Sequence, residues 1–79
     1  MNRLDLAMAA VRRAHDAVNA ARQQFRVTLN SWANEKSQAN ADAHAQARER
    51  LHAAVEHLRR ADQERAAARA EIFGLQKGR

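Results

Sequence analysis

"NSWANEKSQANAD", residues 30–42, lies between two segments that both read as long helices, and it holds the chain's one tryptophan, Trp32. Its reading decides the fold. Either the chain turns back on itself here, or one helix runs straight through. Proline and glycine, the usual punctuation of a turn, are missing from it. It offers instead Asn34, Ser37, Asn40 and Asp42, whose side chains bond nearby backbone and so cap helices or start turns. A reversal near 37–42 follows, with Ser37 or Asn40 as N-cap of the second helix and Asn34 or Asn40 closing the first.

Outward from this stretch the apolar residues keep a fixed spacing. Leu4, Val11, Val18, Phe25 and Trp32 fall seven apart, and Ala7, Ala14, Ala21 and Thr28 come three residues after the first four. That is a heptad with a bulky residue at a and a small one at d. In the second half Leu51, Leu58 and Ile72 take a, while Ala47, Ala54, Ala61, Ala68 and Leu75 take d. His44 occupies the first a site of that half and Arg65 interrupts the row. Small residues at d let two backbones approach closely, and a bulky residue opposite fills the space. The expected fold is all-α, an antiparallel helical hairpin built as an Ala-rich coiled coil. As one domain over 1–79, it comprises a helix at about 3–35, a turn at about 36–41, a helix at about 41–74 and a short tail, "LQKGR".

Two registers satisfy the large-to-small matching. In the first, Ala7 meets Ile72, Val11 meets Ala68, Val18 meets Ala61, Ala21 meets Leu58, Phe25 meets Ala54 and Trp32 meets Ala47, with Leu4 against Leu75 at the open end. The second is one heptad shorter and leaves Ile72 and Leu75 beyond helix 1. The first covers more apolar surface and is the expected one.

Composition bounds the function. Seventy-nine residues make one small domain, and 20 alanines with no proline and only Gly74 and Gly78 suit long helices. The absence of cysteine excludes a disulfide, a thiolate zinc site and a cysteine nucleophile. The opening "MNRLDLAMAAVRRAHD" meets charge too early for a secretory signal, and no apolar run nears the roughly 20 residues that cross a bilayer. A cytoplasmic protein without membrane contact is expected. The formal charge of +5 favours an anionic partner.

Catalytic constellations are weak. "ERLH" places Glu49 and His52 in the Glu-x-x-His spacing of di-iron bundles, where both ligands project inward. With Leu51 at a, however, Glu49 falls at f and His52 at b, both facing solvent, and Asp5 and Asp16 supply no inward glutamate from helix 1. His15, His44, His52 and His57 share no single face, though His44 at a and His15 at e are the two expected to be part-buried. Ser31 and Ser37 have turn and cap roles, and no glycine-rich phosphate loop exists. An enzyme is not expected, nor a cofactor or metal.

The binding signals are stronger. Leu6 and Val27 at c, Met8, Leu29 and Val55 at e, and Phe73 flank the seam, and contiguous exposed apolar surface marks an interface. A homodimer forming a four-helix bundle would cover it. Helix 2 interleaves its charges (Glu56 with Arg60, Arg60 with Glu64, Asp62 with Arg65), as a solvated face does. Arg65 at a either reaches out along the seam or pairs with an acid across a dimer. From Arg12 to Asn34, helix 1 sets Arg12, Arg13, Arg22 and Arg26 against one acid, Asp16. The expected partner-binding residues are Met8, Val27, Leu29 and Trp32 as apolar anchors with Arg12, Arg22 and Arg26 as a basic rim. The function expected is a non-enzymatic interaction module: a small adaptor, cochaperone or inhibitor that docks a helix face on a larger bacterial or phage-borne protein. The alternative is a basic four-helix-bundle regulator of RNA or DNA, contacting phosphates and sensitive to salt. A structural coiled-coil segment of an assembly is third.

"SWAN" at a hairpin tip resembles the Trp-x-Gly turn of the WXG family of small secreted helical hairpins. The likeness covers Trp32 and the hairpin layout. Asn34 stands where that family has glycine, and the chain has no tyrosine for the family's tyrosine-acid secretion signal.

Overall fold

The computed structural model describes residues 2–77, and side chains as far as residue 74. Two helices pack against each other along their length: α1, Arg3–Asn34, and α2, Gln38–Lys77. The molecule is a rod of 64 × 16 × 13 Å with a radius of gyration of 18.2 Å. A compact domain of this length would have a radius near 12 Å.

The reversal takes three residues, Glu35, Lys36 and Ser37. It sits earlier and is tighter than the expected 36–41, because the caps close the helices locally. Ser37 is the N-cap of α2: its Oγ accepts the backbone N–H of Asn40 at 3.1 Å, and its carbonyl accepts from Ala41 N–H at 3.0 Å. Asn40 then closes α1, its Nδ2 donating to Glu35 O at 2.7 Å and Ser31 O at 3.3 Å. Glu35 caps α1 in extended conformation, φ −140° and ψ 107°, with its N–H on Ser31 O. Helices often end on a left-handed glycine. Among the described residues no φ is positive, so this turn needs none. At the other end of α1, Asn2 accepts the Asp5 N–H at 2.8 Å. α2 does not stop at Gly74, as the sequence suggests. It continues to Lys77.

The a and d rows meet in the seam. Ala7, Val11, Ala14, Val18 and Thr28 from α1 and Ala47, Ala61 and Ala68 from α2 are buried. Leu4, Phe25, Trp32, Leu51, Leu58 and Ile72 are half-buried. The register, however, is the shorter of the two. Val11 and Ala14 cluster with Ala61 and Leu58, so Val11 meets Ala61 and not Ala68. Thr28 meets His44, Phe25 packs on His44 instead of Ala54, and Trp32 stacks on His44 instead of covering Ala47. Arg3 pairs with Glu71, which leaves Ile72 at the first turn of α1. Leu75, expected opposite Leu4, lies outside the described side chains.

The physical reason is the turn. The shorter register has its midpoint at residue 36, inside the Glu35–Ser37 turn, whereas the longer one has its midpoint between residues 39 and 40, inside the first turn of α2. Local capping therefore outweighs the extra burial of Ile72. The resulting core is thin: among the described residues no large side chain is completely buried.

Candidate docking surface

Each helical residue advances about 100° around the axis, so e and b lie on one side of the a/d seam and g and c on the other. In an antiparallel pair e adjoins e and g adjoins g. The rod thus has two unlike flanks. The g flank carries the Arg3–Glu71 ion pair and a shallow hollow bounded by Arg3, Leu6, Ala10 and Glu64. Its charges, Arg3, Arg13, Arg50 and Arg60 against Glu64 and Glu71, are of both signs.

The e flank is different. The bulky a residues of both helices lean toward it and leave two wells in line. One is walled by Phe25, Leu51 and Val55, with Arg48, His52 and Glu56 at its margin. The other, nearer the tip, is formed by Trp32, Ala41, His44 and Ala45, and Arg48 borders it too. Val55, in the wall of the first, is 48% exposed, and Leu29, 40% exposed, lies on the e row of α1 between Phe25 and Trp32 in sequence. On the α1 side Asn19, Arg22, Gln23 and Arg26 outline a third, polar hollow.

The tip is held by a ladder of rings. His44 lies between Phe25, 4.7 Å away by ring centroids, and Trp32, whose plane is within 14° of parallel at 6.4 Å. Lys36 places its Nζ 5.2 Å over the Trp32 ring, a cation–π contact. The buried Thr28 hydroxyl reaches the carbonyls of Gln24 and Phe25 at 3.1 and 3.0 Å and His44 Nδ1 at 3.2 Å. With the hydroxyl proton on the carbonyls, His44 Nδ1–H donates to Thr28 Oγ1.

The expected site residues divide accordingly. Met8, Arg12, Arg22, Arg26 and Leu29 are exposed on the e and b rows, and half-buried Trp32 closes that flank at the tip. Val27 is exposed at c, about 160° around the helix from Leu29, and belongs with Leu6 on the other side. His15, expected to be part-buried, is exposed; His44 is half-buried. Arg48 was missed by sequence reasoning. Its signal was its e position on α2, which becomes informative only once antiparallel pairing sets it across from Arg22.

Ion pairs among the described residues are Arg3–Glu71, Arg59–Glu56 and Arg65–Asp62. Arg65 thus answers to its own helix at 3.2 Å. Glu56 bonds Arg59 and not Arg60; that hydrogen bond, reinforced by the charges of Arg59, Arg60 and His52, holds the exposed Glu56 carboxyl below its usual range. The same contact pushes the Arg59 guanidinium up. Among the described residues no three His, Asp or Glu side chains gather closely enough to hold a metal ion, and no helix is long and apolar enough to cross a membrane.

The chain matches no protein-family profile, no curated protein and no solved structure.

Proposed function

We propose that this hairpin is a non-enzymatic docking module, a small adaptor, cochaperone or inhibitor that lays one face of the rod against a larger protein. The observation that carries the reading is the e flank, where two aligned apolar wells open and Leu29 and Val55 are exposed. A rod with half-open wells gains most by lending them to another chain, because little of its apolar surface is spent inward.

Self-association belongs to the same reading. The accessible surface is 6259 Å². A compact monomer of 8.9 kDa would expose roughly 4,800 Å². The excess, about 1,400 Å², is of the order a subunit buries in a stable dimer. A second copy fits the g flank best, since charges of both signs can cross-pair there around Leu6 and Val27, giving a four-helix bundle.

Capture of a partner by the tagged protein from its host's extract tests the docking reading. Leu29→Asp and Val55→Asp should each abolish capture while helicity and thermal unfolding stay near wild type, because both sites are exposed. Capture that survives both changes overturns it.

One observation favours a second reading, phosphate-backbone binding: the polar hollow of Asn19, Arg22, Gln23 and Arg26. Light-scattering mass with and without a random duplex, at about 50 mM and about 500 mM salt, separates the two. A complex formed at low salt and lost at high salt, and destroyed by Arg12→Glu with Arg26→Glu, would favour nucleic acid. The same masses without duplex count the copies.

A further inference from the structure

We infer that the ligand of the e flank is an acidic amphipathic helix, which lies in the trough between α1 and α2 and completes a three-helix bundle over that face. This rests on the docking reading and adds the chemistry of the partner.

Shape argues for a helix. The two wells share Arg48 and run from Ala41 to Val55 on α2, a length of about 21 Å at 1.5 Å per residue. A helix of four turns matches that length, and its i, i+3, i+4 and i+7 residues would fill the two wells in sequence. No strand edge exists among the described residues for an extended peptide to pair with.

Charge argues for acid. The e and b rows of the two helices hold Arg12, Arg22, Arg26, Arg48, Arg59 and Arg69 against Asp5 and Asp62, with Glu56 of the adjoining f row at the margin of the first well. Of these, Arg59 holds Glu56 and Asp62 holds Arg65. Among the described residues Arg12, Arg22, Arg26 and Arg48 enter no ion pair, and Arg22, Arg26 and Arg48 line the hollows of this flank. Guanidinium forks on both sides of an apolar trough suit a helix with carboxylates on either side of its apolar stripe. A second copy presenting this same flank would set arginines against arginines, which costs association. Nucleic acid would use the guanidiniums and leave the Phe25, Leu51 and Val55 well with nothing to fill it.

Three synthetic helices of about 18 residues, alike in their leucine stripe but carrying Glu, Gln or Lys beside it, provide the probe. None contains tryptophan, so the fluorescence of Trp32, at the rim of the second well, reports occupancy. The Glu helix should bind and the Lys helix should not. Arg22→Glu with Arg48→Glu should weaken the Glu helix at least tenfold and let the Lys helix bind, and Val55→Asp should abolish both. Preference for the Gln or Lys helix over the Glu helix would overturn the charge assignment and leave the docking reading standing. No response to any helix would overturn the inference. A duplex oligonucleotide that moves Trp32 while all three helices fail would overturn both readings together.

Discussion

At the scale of single residues, His44 is the residue whose environment departs furthest from a plain alanine coil. A histidine at a costs apolar burial, and here it is repaid by Thr28 Oγ1 on one nitrogen and by Phe25 and Trp32 on the ring. Thr28→Val keeps the shape and removes the acceptor, so chemical denaturation should show a loss of about 1 kcal/mol. Adding His44→Leu removes the stranded donor as well, and the double variant should recover most of that loss. Glu56 provides a pH signature. Its carboxyl is held below the usual range in the folded chain, so the Arg59 contact contributes fully above the ordinary carboxylate range. The contribution is lost as pH falls through the folded value. Carboxyl titration by NMR should find Glu56 below the ordinary glutamate value, and Arg59→Gln should return it upward.

At the scale of elements, the two helices were legible in the sequence and their register was not. The heptad named the a and d rows because bulky and small residues alternate without interruption up to Arg65. That same regularity defeats the register. With alanine at four successive d positions of α2, from Ala47 to Ala68, sliding one helix by seven residues preserves the large-to-small matching. The choice falls to Ser37 and Asn40, whose bonds are local and leave no periodic trace. Asn40→Ala should therefore be destabilising by about 0.5 kcal/mol in urea unfolding, the lost bonds outweighing alanine's better helix propensity. The register itself can be read by cross-linking. Ala14→Cys with Ala61→Cys should form a disulfide on mild oxidation, and Val11→Cys with Ala68→Cys should not. The candidate site was half legible for a related reason. Exposed Met8, Leu29 and the arginines of helix 1 could be named, but grouping them with Arg48 and Val55 requires knowing that e rows adjoin. Val27 was grouped with them by hydrophobicity alone, and geometry sends it to the other flank.

For the whole molecule, the cross-tip bonds have a consequence for how the rod comes apart. Asn40 ties both helices together at one end, with the ring ladder beside it. The far end is joined by Arg3 and Glu71, both largely exposed, and exposed ion pairs contribute little. The hairpin is thus a zipper with one fastened end. Partial openings should start at the free end and travel toward the clasp, so amide hydrogen exchange should be graded along the axis. Exchange should be fastest in the outermost turns flanking Arg3 and Glu71 and slowest around Phe25 and Ala47. The wells of the e flank sit in the slow half, so a ligand there meets walls that are already in place while the opposite end breathes.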